Sequence, residues 1–353
     1  MSDDESQKTV AGPASSPDPG ESSVVNHWPC LSDEVVVYIL SLLPQKDLVN
    51  SSLIDRRFME LSRDDSLWTE LTLDYVDIKQ NAEACKKMVD RCKKLVSLKI
   101  SNKTDHWSCW STSNWCWDNI RIMTVVMRAK DKLRNLEFDH SIRQWTPVGI
   151  ATLVLLQNLA SLTISFDCNS CHGNENTYPV MKKVLQNLKK LKKVEIKPIT
   201  SYDQSLVVAL AENNPDLKVL RIRIYPTLSD DTIDVLIKSC PGLEEMILCS
   251  SQSKSSIEKL SSSFPKMKRL EISGLAGNMD EKLTKYVETF RSLESLDLSG
   301  ISYNITNRGI ERMVSLAEKL KHLSIPEAPR VTKTFVESLR IKYPDLDLRI
   351  NNQ

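Results

Sequence analysis

A short unit, Leu-x-x-Leu-x-(Leu/Ile), recurs from about residue 68 to residue 350, and this repetition constrains the chain more than any other feature. Full copies lie at Leu95–Ile100, Leu133–Phe138, Leu159–Ile164, Leu191–Ile196, Leu217–Ile222, Leu243–Leu248, Met267–Ile272, Leu293–Leu298 and Leu320–Ile325. A first copy begins at Trp68 with Leu71 and Leu73, and a degenerate last copy keeps Leu348 and Ile350. Measured at the final apolar position, the copies fall at 73, 100, 138, 164, 196, 222, 248, 272, 298, 325 and 350. The steps are 27, 38, 26, 32, 26, 26, 24, 26, 27 and 25, so eight of ten fit a repeat of one strand and one helix.

Alternate residues of a strand point to opposite faces. Leu98 and Ile100 therefore enter a core, while Ser97, Lys99 and Ser101 face out. Amphipathic segments such as Thr232–Ser239 and Leu283–Phe290 lie between strands and are predicted as helices covering one face of a parallel sheet. Pro215, Pro265 and the pair Pro241 and Gly242 separate helix from next strand. The predicted fold is α/β: a curved solenoid with its parallel sheet on the concave side and helices outside, in which no unit is stable without its neighbours.

Two segments precede the repeats. Residues 1–26 are rich in Ser, Pro, Asp and Gly; Asp3, Asp4, Glu5, Asp18 and Glu21 against Lys8 give a charge of −4. They are predicted as a disordered acidic tail. Residues 28–68 form a helical block, with helices expected over Asp33–Leu43, near Lys46–Leu53 and near Arg56–Arg63. Ser32 is the expected N-cap of the first, and Pro44 its stop. The repeat domain is expected over 69–353.

The block "WPCLSDEVVVYILSLLPQKDLVNSSLIDRRFMELSRDDSLWTEL" resembles an F-box. The pieces that carry the resemblance are Leu31, Asp33 and Glu34, then Leu43-Pro44, Asp47-Leu48, Arg56-Arg57-Phe58 and Leu67-Trp68. Ser32 stands where that family usually has Pro, and Phe58 where Trp is common. "SCPGLEEMIL" and "RCKKLVSLKI" resemble the cysteine-containing variant of leucine-rich repeats, so the whole resembles the F-box/leucine-rich-repeat class. That resemblance implies the substrate-recognition subunit of an SCF-type, cullin–RING ubiquitin ligase. The F-box would dock on a Skp-type adaptor, the repeats would hold a protein substrate, and the chain itself would catalyse nothing. Leu31, Val35, Ile39, Leu43, Pro44, Leu48 and Phe58 would divide between adaptor contact and internal packing. Trp68 is expected at the junction with the first repeat. The rivals are a repeat scaffold without a ligase role, its helical block merely a cap, and a small-ligand receptor of F-box type.

The outward strand positions form the expected substrate surface. Lys193, Lys197, Arg221, Arg223 and Arg269 make a basic stripe across it, interrupted by Glu245 and Glu271, which suits an acidic or phosphorylated protein segment. The 38-residue step contains "HWSCWSTSNWCW", with Trp107, Trp110, Trp115 and Trp117. So much aromatic area either folds onto the scaffold or meets a partner. The same insertion holds His106, Cys109 and Cys116; His140, Cys168, Cys171 and His172 follow two of the next strands. With one Cys-x-x-Cys and no second, no metal is assigned. No cofactor is expected, since the chain has no P-loop, no Gly-x-Gly-x-x-Gly after a strand, no His-Glu-x-x-His and no Gly-x-Ser-x-Gly. With 47 Lys and Arg against 46 Asp and Glu, a generic nucleic-acid binder is not expected. No signal peptide and no run of 18 apolar residues point to a membrane, and nine cysteines spread over a chain of 353 residues fit a reducing compartment, cytoplasmic or nuclear.

Overall fold

The computed structural model describes residues 30–101, 115–139, 145–165, 177–197, 204–222, 228–249, 254–273, 279–300, 305–326 and 330–351. Backbone contacts divide the chain into two units, ending and beginning at Ser62 and Arg63.

In the first unit, α1 (Asp33–Ser41), α2 (Gln45–Ser51) and α3 (Arg56–Leu61) are each short enough to depend on packing. Val36, Leu40, Leu48 and Phe58 form their buried centre. Ser32 does occupy the N-cap of α1, but its hydroxyl accepts no helix N–H; its carbonyl takes the first bond, from Val36 N–H at 3.1 Å. Pro44 ends one helix and starts the next, its carbonyl accepting from Leu48 N–H at 2.9 Å. Asp55 caps α3 through Phe58 N–H at 2.8 Å. Arg57 ties α3 back to the start of α1, donating to Asp33 at 2.8 and 3.0 Å and to the Leu31 carbonyl.

The second unit is one eleven-stranded sheet whose spatial order is the chain order. The strands are β1 (Glu70–Asp74), β2 (Ser97–Ser101), β3 (Asn135–Asp139), β4 (Ser161–Ser165), β5 (Lys193–Lys197), β6 (Val219–Ile222), β7 (Glu245–Cys249), β8 (Arg269–Ser273), β9 (Ser295–Gly300), β10 (His322–Pro326) and β11 (Asp347–Asn351). Every neighbouring pair is parallel. The register is the one the leucine pattern demands: Leu73 lies beside Ile100, and across β2–β6 Ile100, Phe138, Ile164, Ile196 and Ile222 are aligned. A slip of one residue would turn every one of these out to water.

Helices run between the strands: α4 (Tyr75–Arg91), α5 (Trp115–Val126), α6 (Pro147–Thr152), α7 (Thr177–Asn187), α8 (Ser205–Asn213), α9 (Asp230–Ser239), α10 (Lys254–Ser263), α11 (Met279–Thr289), α12 (Asn307–Leu316) and α13 (Lys333–Lys342). Their apolar sides, such as Ile233 and Leu236 of α9 or Ile310 and Met313 of α12, join the inward strand residues in one continuous core. Ile237, next to Leu236 on α9, is only half-buried against that core. Each turn from helix to strand bonds to the turn before it. Arg134 and Asn135 both donate to the Val96 carbonyl, at 2.9 and 3.0 Å, and Lys192 and Lys193 repeat this on Ala160 at 2.7 and 3.0 Å. Backbone groups that a lone strand would leave unpaired are thereby satisfied.

Side chains bolt the helix starts together in the later repeats. Ser229, Thr306 and Thr332 each cap a helix, accepting from the N–H three residues on at 3.2–3.3 Å. The backbone N–H of each cap then donates to a side chain of the previous repeat: Ser229 to Gln204 at 2.7 Å, Thr306 to Asp280 at 3.0 Å, Thr332 to Asn307 at 3.1 Å. Trp145, which the repeat pattern does not foreshadow, is 3 % exposed. It packs edge-on to Phe138, with ring centroids 4.8 Å apart, and donates to the Ser165 carbonyl at 3.2 Å. Trp68 is half-buried against the core of the second unit. Among the described residues no helix is long and apolar enough to cross a membrane.

Candidate partner-binding surfaces

Helix α1 reads Asp-Glu-Val-Val-Val-Tyr-Ile-Leu-Ser, and nearly every side chain after its first two is apolar. Only one stripe can face a three-helix core, and Val36 and Leu40 take it. Val35, Tyr38, Ile39 and Leu42, spaced three and four apart, form the adjoining stripe. Tyr38 is 66 % and Leu42 67 % exposed; Val35 and Leu43 are also exposed, and Ile39 is half-buried. The connection from α2 to α3 adds Leu53 at 81 % and Ile54 at 65 %, with Val49 exposed on α2. Burying an apolar side chain of this size returns about 1.5–3 kcal/mol. Seven such side chains in water on so small a unit are unusual for a surface without a partner.

The seven residues expected at an adaptor contact separate accordingly. Leu48 and Phe58 are core, Leu31 and Ile39 are half-buried, and Val35, Leu43 and Pro44 are exposed. Tyr38, Leu42, Val49, Leu53 and Ile54 were not singled out from sequence. The signal for Tyr38 and Leu42 was present in the apolar run of α1, but an all-apolar helix does not say which stripe is inward.

On the sheet, the outward residues also line up by register. Lys99 faces Glu137 across β2–β3, with its Nζ 2.6 Å from Glu137 and 3.2 Å from Asp139; those carboxylates, Glu137 foremost, raise its pKa. Lys193, Arg221 and Arg269 come to one region of the face, but carboxylates alternate with them. Arg221 lies between Glu195 at 3.7 Å and Glu245 at 3.5 Å; Arg269 is 3.5 Å from the same Glu245, and Lys193 is 3.9 Å from Glu195. Glu195 is itself buried. This part of the face is a charge-alternating lattice of partly exposed side chains, its cations already engaged.

Arg223 and the side chain of Lys197 lie outside the described residues, as do Trp107 and Trp110. Trp115 and Trp117 sit in the first turn of α5, their side chains outside the described part, so the tryptophan run ends as helix and not as loop. His106, Cys109, His140, Cys168, Cys171 and His172 also lie outside the described residues. Among the described residues no three His, Cys, Asp or Glu side chains gather as a metal site. The thiols of Cys85, Cys92 and Cys240 are buried and pushed upward in pKa by loss of water, Cys240 to about 11.

Residues 28–74 match the F-box-like family model. No curated protein matches the chain. Among solved structures, a chain of the yeast Rad7–Elc1 complex is similar in fold, with a TM-score of 0.53 and 15 % identity over 79 % of this chain and 73 % of its own. A chain of the TLR13–ssRNA13 complex aligns with 82 % of this chain and 34 % of its own length, at 12 % identity and a TM-score of 0.33. An F-box-like region followed by a leucine-rich-type solenoid is thus what the chain presents.

Proposed function

We propose that this chain is the substrate-recognition subunit of a cullin–RING ubiquitin ligase of SCF type. The observation that carries the proposal is the uncovered apolar stripe of Val35, Tyr38, Leu42 and Leu43, continued by Val49, Leu53 and Ile54, on a unit that matches an F-box-like model. Such a stripe fits a small helical adaptor of the Skp1 or Elongin-C kind, and the fold-related yeast chain was crystallised in a complex of Rad7 and Elc1. The repeats supply no reacting group in this scheme; they would hold a protein segment beside the ligase. The open face of the sheet, with Lys193, Arg221 and Arg269 interleaved with glutamates, would contribute selective contacts, and Lys197, Arg223 and the tryptophans would extend it.

The test is co-expression of the full chain with a Skp1-type and, separately, an Elongin-C-type adaptor. Leu42→Asp with Val49→Asp changes exposed positions only, so it should abolish co-purification without altering the thermal melt. Leu48→Asp is unsuited to this purpose, because Leu48 is core and the unit would unfold. Failure of the wild-type chain to hold either adaptor would sink the proposal, and capture of the Elongin-C-type adaptor alone would sink its SCF assignment.

A further inference from the structure

The turns from helix to strand that lead into β2–β5 stack on one another through backbone hydrogen bonds, Arg134 to Val96 at 2.9 Å, Ala160 to Arg134 at 2.7 Å and Lys192 to Ala160 at 2.7 Å. Equivalent positions in these turns are therefore about 4.8 Å apart, the spacing of paired strands. Their composition is lopsided. The first turn carries Arg91, Lys93 and Lys94, the second Lys130, Lys132 and Arg134, the third only neutral Gln157 and Asn158. The fourth carries Lys189, Lys190, Lys192 and Lys193. Against these ten cations stand Asp131 within the second turn, Asp90 beside Arg91 at the end of α4, and Glu195 two positions beyond Lys193 in β5.

Nine of the ten are exposed; Lys132 is half-buried and spends its ammonium on the Cys92 and Val89 carbonyls, which leaves its charge in place. Lys190 donates to Asn158, which also leaves its charge in place. Among the described residues no carboxylate is in ion-pair contact with Lys93, Lys94, Lys130, Arg134, Lys189 or Lys192; Lys193 has Glu195 at 3.9 Å, and Asp64 and Asp90 lie near enough to Lys94 and Lys132 to interact electrostatically with them.

The later turns show that the repeat does not require this. At the position of Arg134 and Lys192 they alternate in sign. Lys218 meets Glu244 at 3.1 Å, Lys268 meets the same Glu244 at 2.7 Å, and Lys321 meets Glu294 at 2.9 Å. The early edge forgoes that compensation and accepts like-charge repulsion in a protein of net charge +1.

We propose that the edge formed by the turns before β2–β5 is a docking ridge for an acidic protein segment, one dense in aspartate or glutamate. Apolar residues of these turns such as Cys92, Leu133, Leu188 and Leu191 are buried and Leu155 is the one large apolar side chain exposed there, so the ridge has no exposed aromatic on which a base could stack and only a single apolar side chain to offer a membrane. The adjoining sheet face carries Glu137, Asp139 and Glu195, which disfavours a broad polyanion such as duplex nucleic acid but leaves room for a narrow extended chain. This inference is independent of the ligase proposal and needs no adaptor.

The test is fluorescence anisotropy of a labelled oligo-glutamate peptide titrated with the full chain at about 0.15 M salt, where exposed charges are screened beyond about 8 Å. Micromolar binding is expected, weakening steadily as salt rises. Lys189→Glu, Lys190→Glu and Lys192→Glu together should lower affinity at least tenfold. Lys266→Glu with Lys319→Glu, exposed on later turns, should lower it no more than twofold. If the triple variant loses its circular-dichroism melt, Lys93→Glu, Lys94→Glu and Lys130→Glu should give the same loss from the neighbouring turns. Absence of binding at this salt, equal losses in the ridge and control variants, or tighter ridge-dependent binding of a single-stranded oligonucleotide of the same charge would each overturn the proposal.

Discussion

Gly309 sits in the first turn of α12, facing Asp280 at the start of α11. A Cβ placed on Gly309 would lie 2.0 Å from Asp280 Oδ1, 2.2 Å from its Cγ and 2.8 Å from its Cβ. Its backbone is ordinary helix, so alanine would otherwise gain about 0.5–1 kcal/mol over glycine. The carboxylate cannot simply swing away, because it accepts from Thr306 N–H at 3.0 Å and from the Thr306 hydroxyl. Losing a hydrogen bond to a charged group costs about 1.5–3 kcal/mol, and crowding a packed contact about 1–3 kcal/mol. Gly309→Ala should therefore destabilise by roughly 1.5–5.5 kcal/mol once the helical gain is deducted. Urea unfolding followed by circular dichroism measures this as a lower midpoint at unchanged slope. A double-mutant cycle supplies the decisive comparison. In an Asp280→Ala background the carboxylate is gone but the Cβ at 280 still lies 2.8 Å from the new methyl, so the cost of Gly309→Ala should shrink clearly without vanishing. Equal costs in both backgrounds, or a stabilised Gly309→Ala, would refute the reasoning that this contact joins the two repeats.

Two further outcomes are expected. Trp145→Ala removes the ring packed on Phe138 and should cost about 3–5 kcal/mol, read as a lower denaturation midpoint and a diminished near-ultraviolet circular dichroism signal. Cys240 has its pKa raised to about 11 by burial, so its contribution to stability is full below the ordinary thiol value of 9.0 and is lost as pH climbs through about 11; alkylation at mildly alkaline pH, mapped by mass spectrometry, should mark exposed Cys30 and spare Cys240 until the chain unfolds.

The solenoid was legible because its signal has period two and repeats: each Leu-x-Leu/Ile pair states both a strand and its inward face, and neighbouring copies confirm the register. The helical unit was legible as a unit, not as a surface. In α1 the apolar run hides the difference between Val36 and Leu40, which are core, and Val35 and Leu42, which are exposed. Only a packed structure selects the stripe. The basic residues of the open sheet face could be placed by counting, but their neutralisation could not, since Glu195 and Glu245 engage them only once β5, β6 and β7 are side by side. The helix caps were readable and unread. Ser229, Thr306 and Thr332 fall seven or eight residues after Ile222, Leu298 and Ile325, and each stands three before a helical N–H that it accepts.

The repeats solve the same mechanical problem at two levels. Leucines stack to make the core, which is indifferent to which repeat lies next to which, since one aliphatic layer resembles another. Order along the stack can be reinforced only by interactions that differ between neighbours: the bonds from Gln204, Asp280 and Asn307 to the following caps, and the alternating pairs of Lys218, Glu244 and Lys268. Each exposed ion pair is worth at most about 1 kcal/mol, so the alternation matters more for register than for total stability. Where a stretch of the same edge abandons alternation for an excess of positive charge, it gives up that guidance without gaining core. The early turns therefore carry a pattern that stacking does not explain, and an external anion is the simplest counter-charge that would offset it.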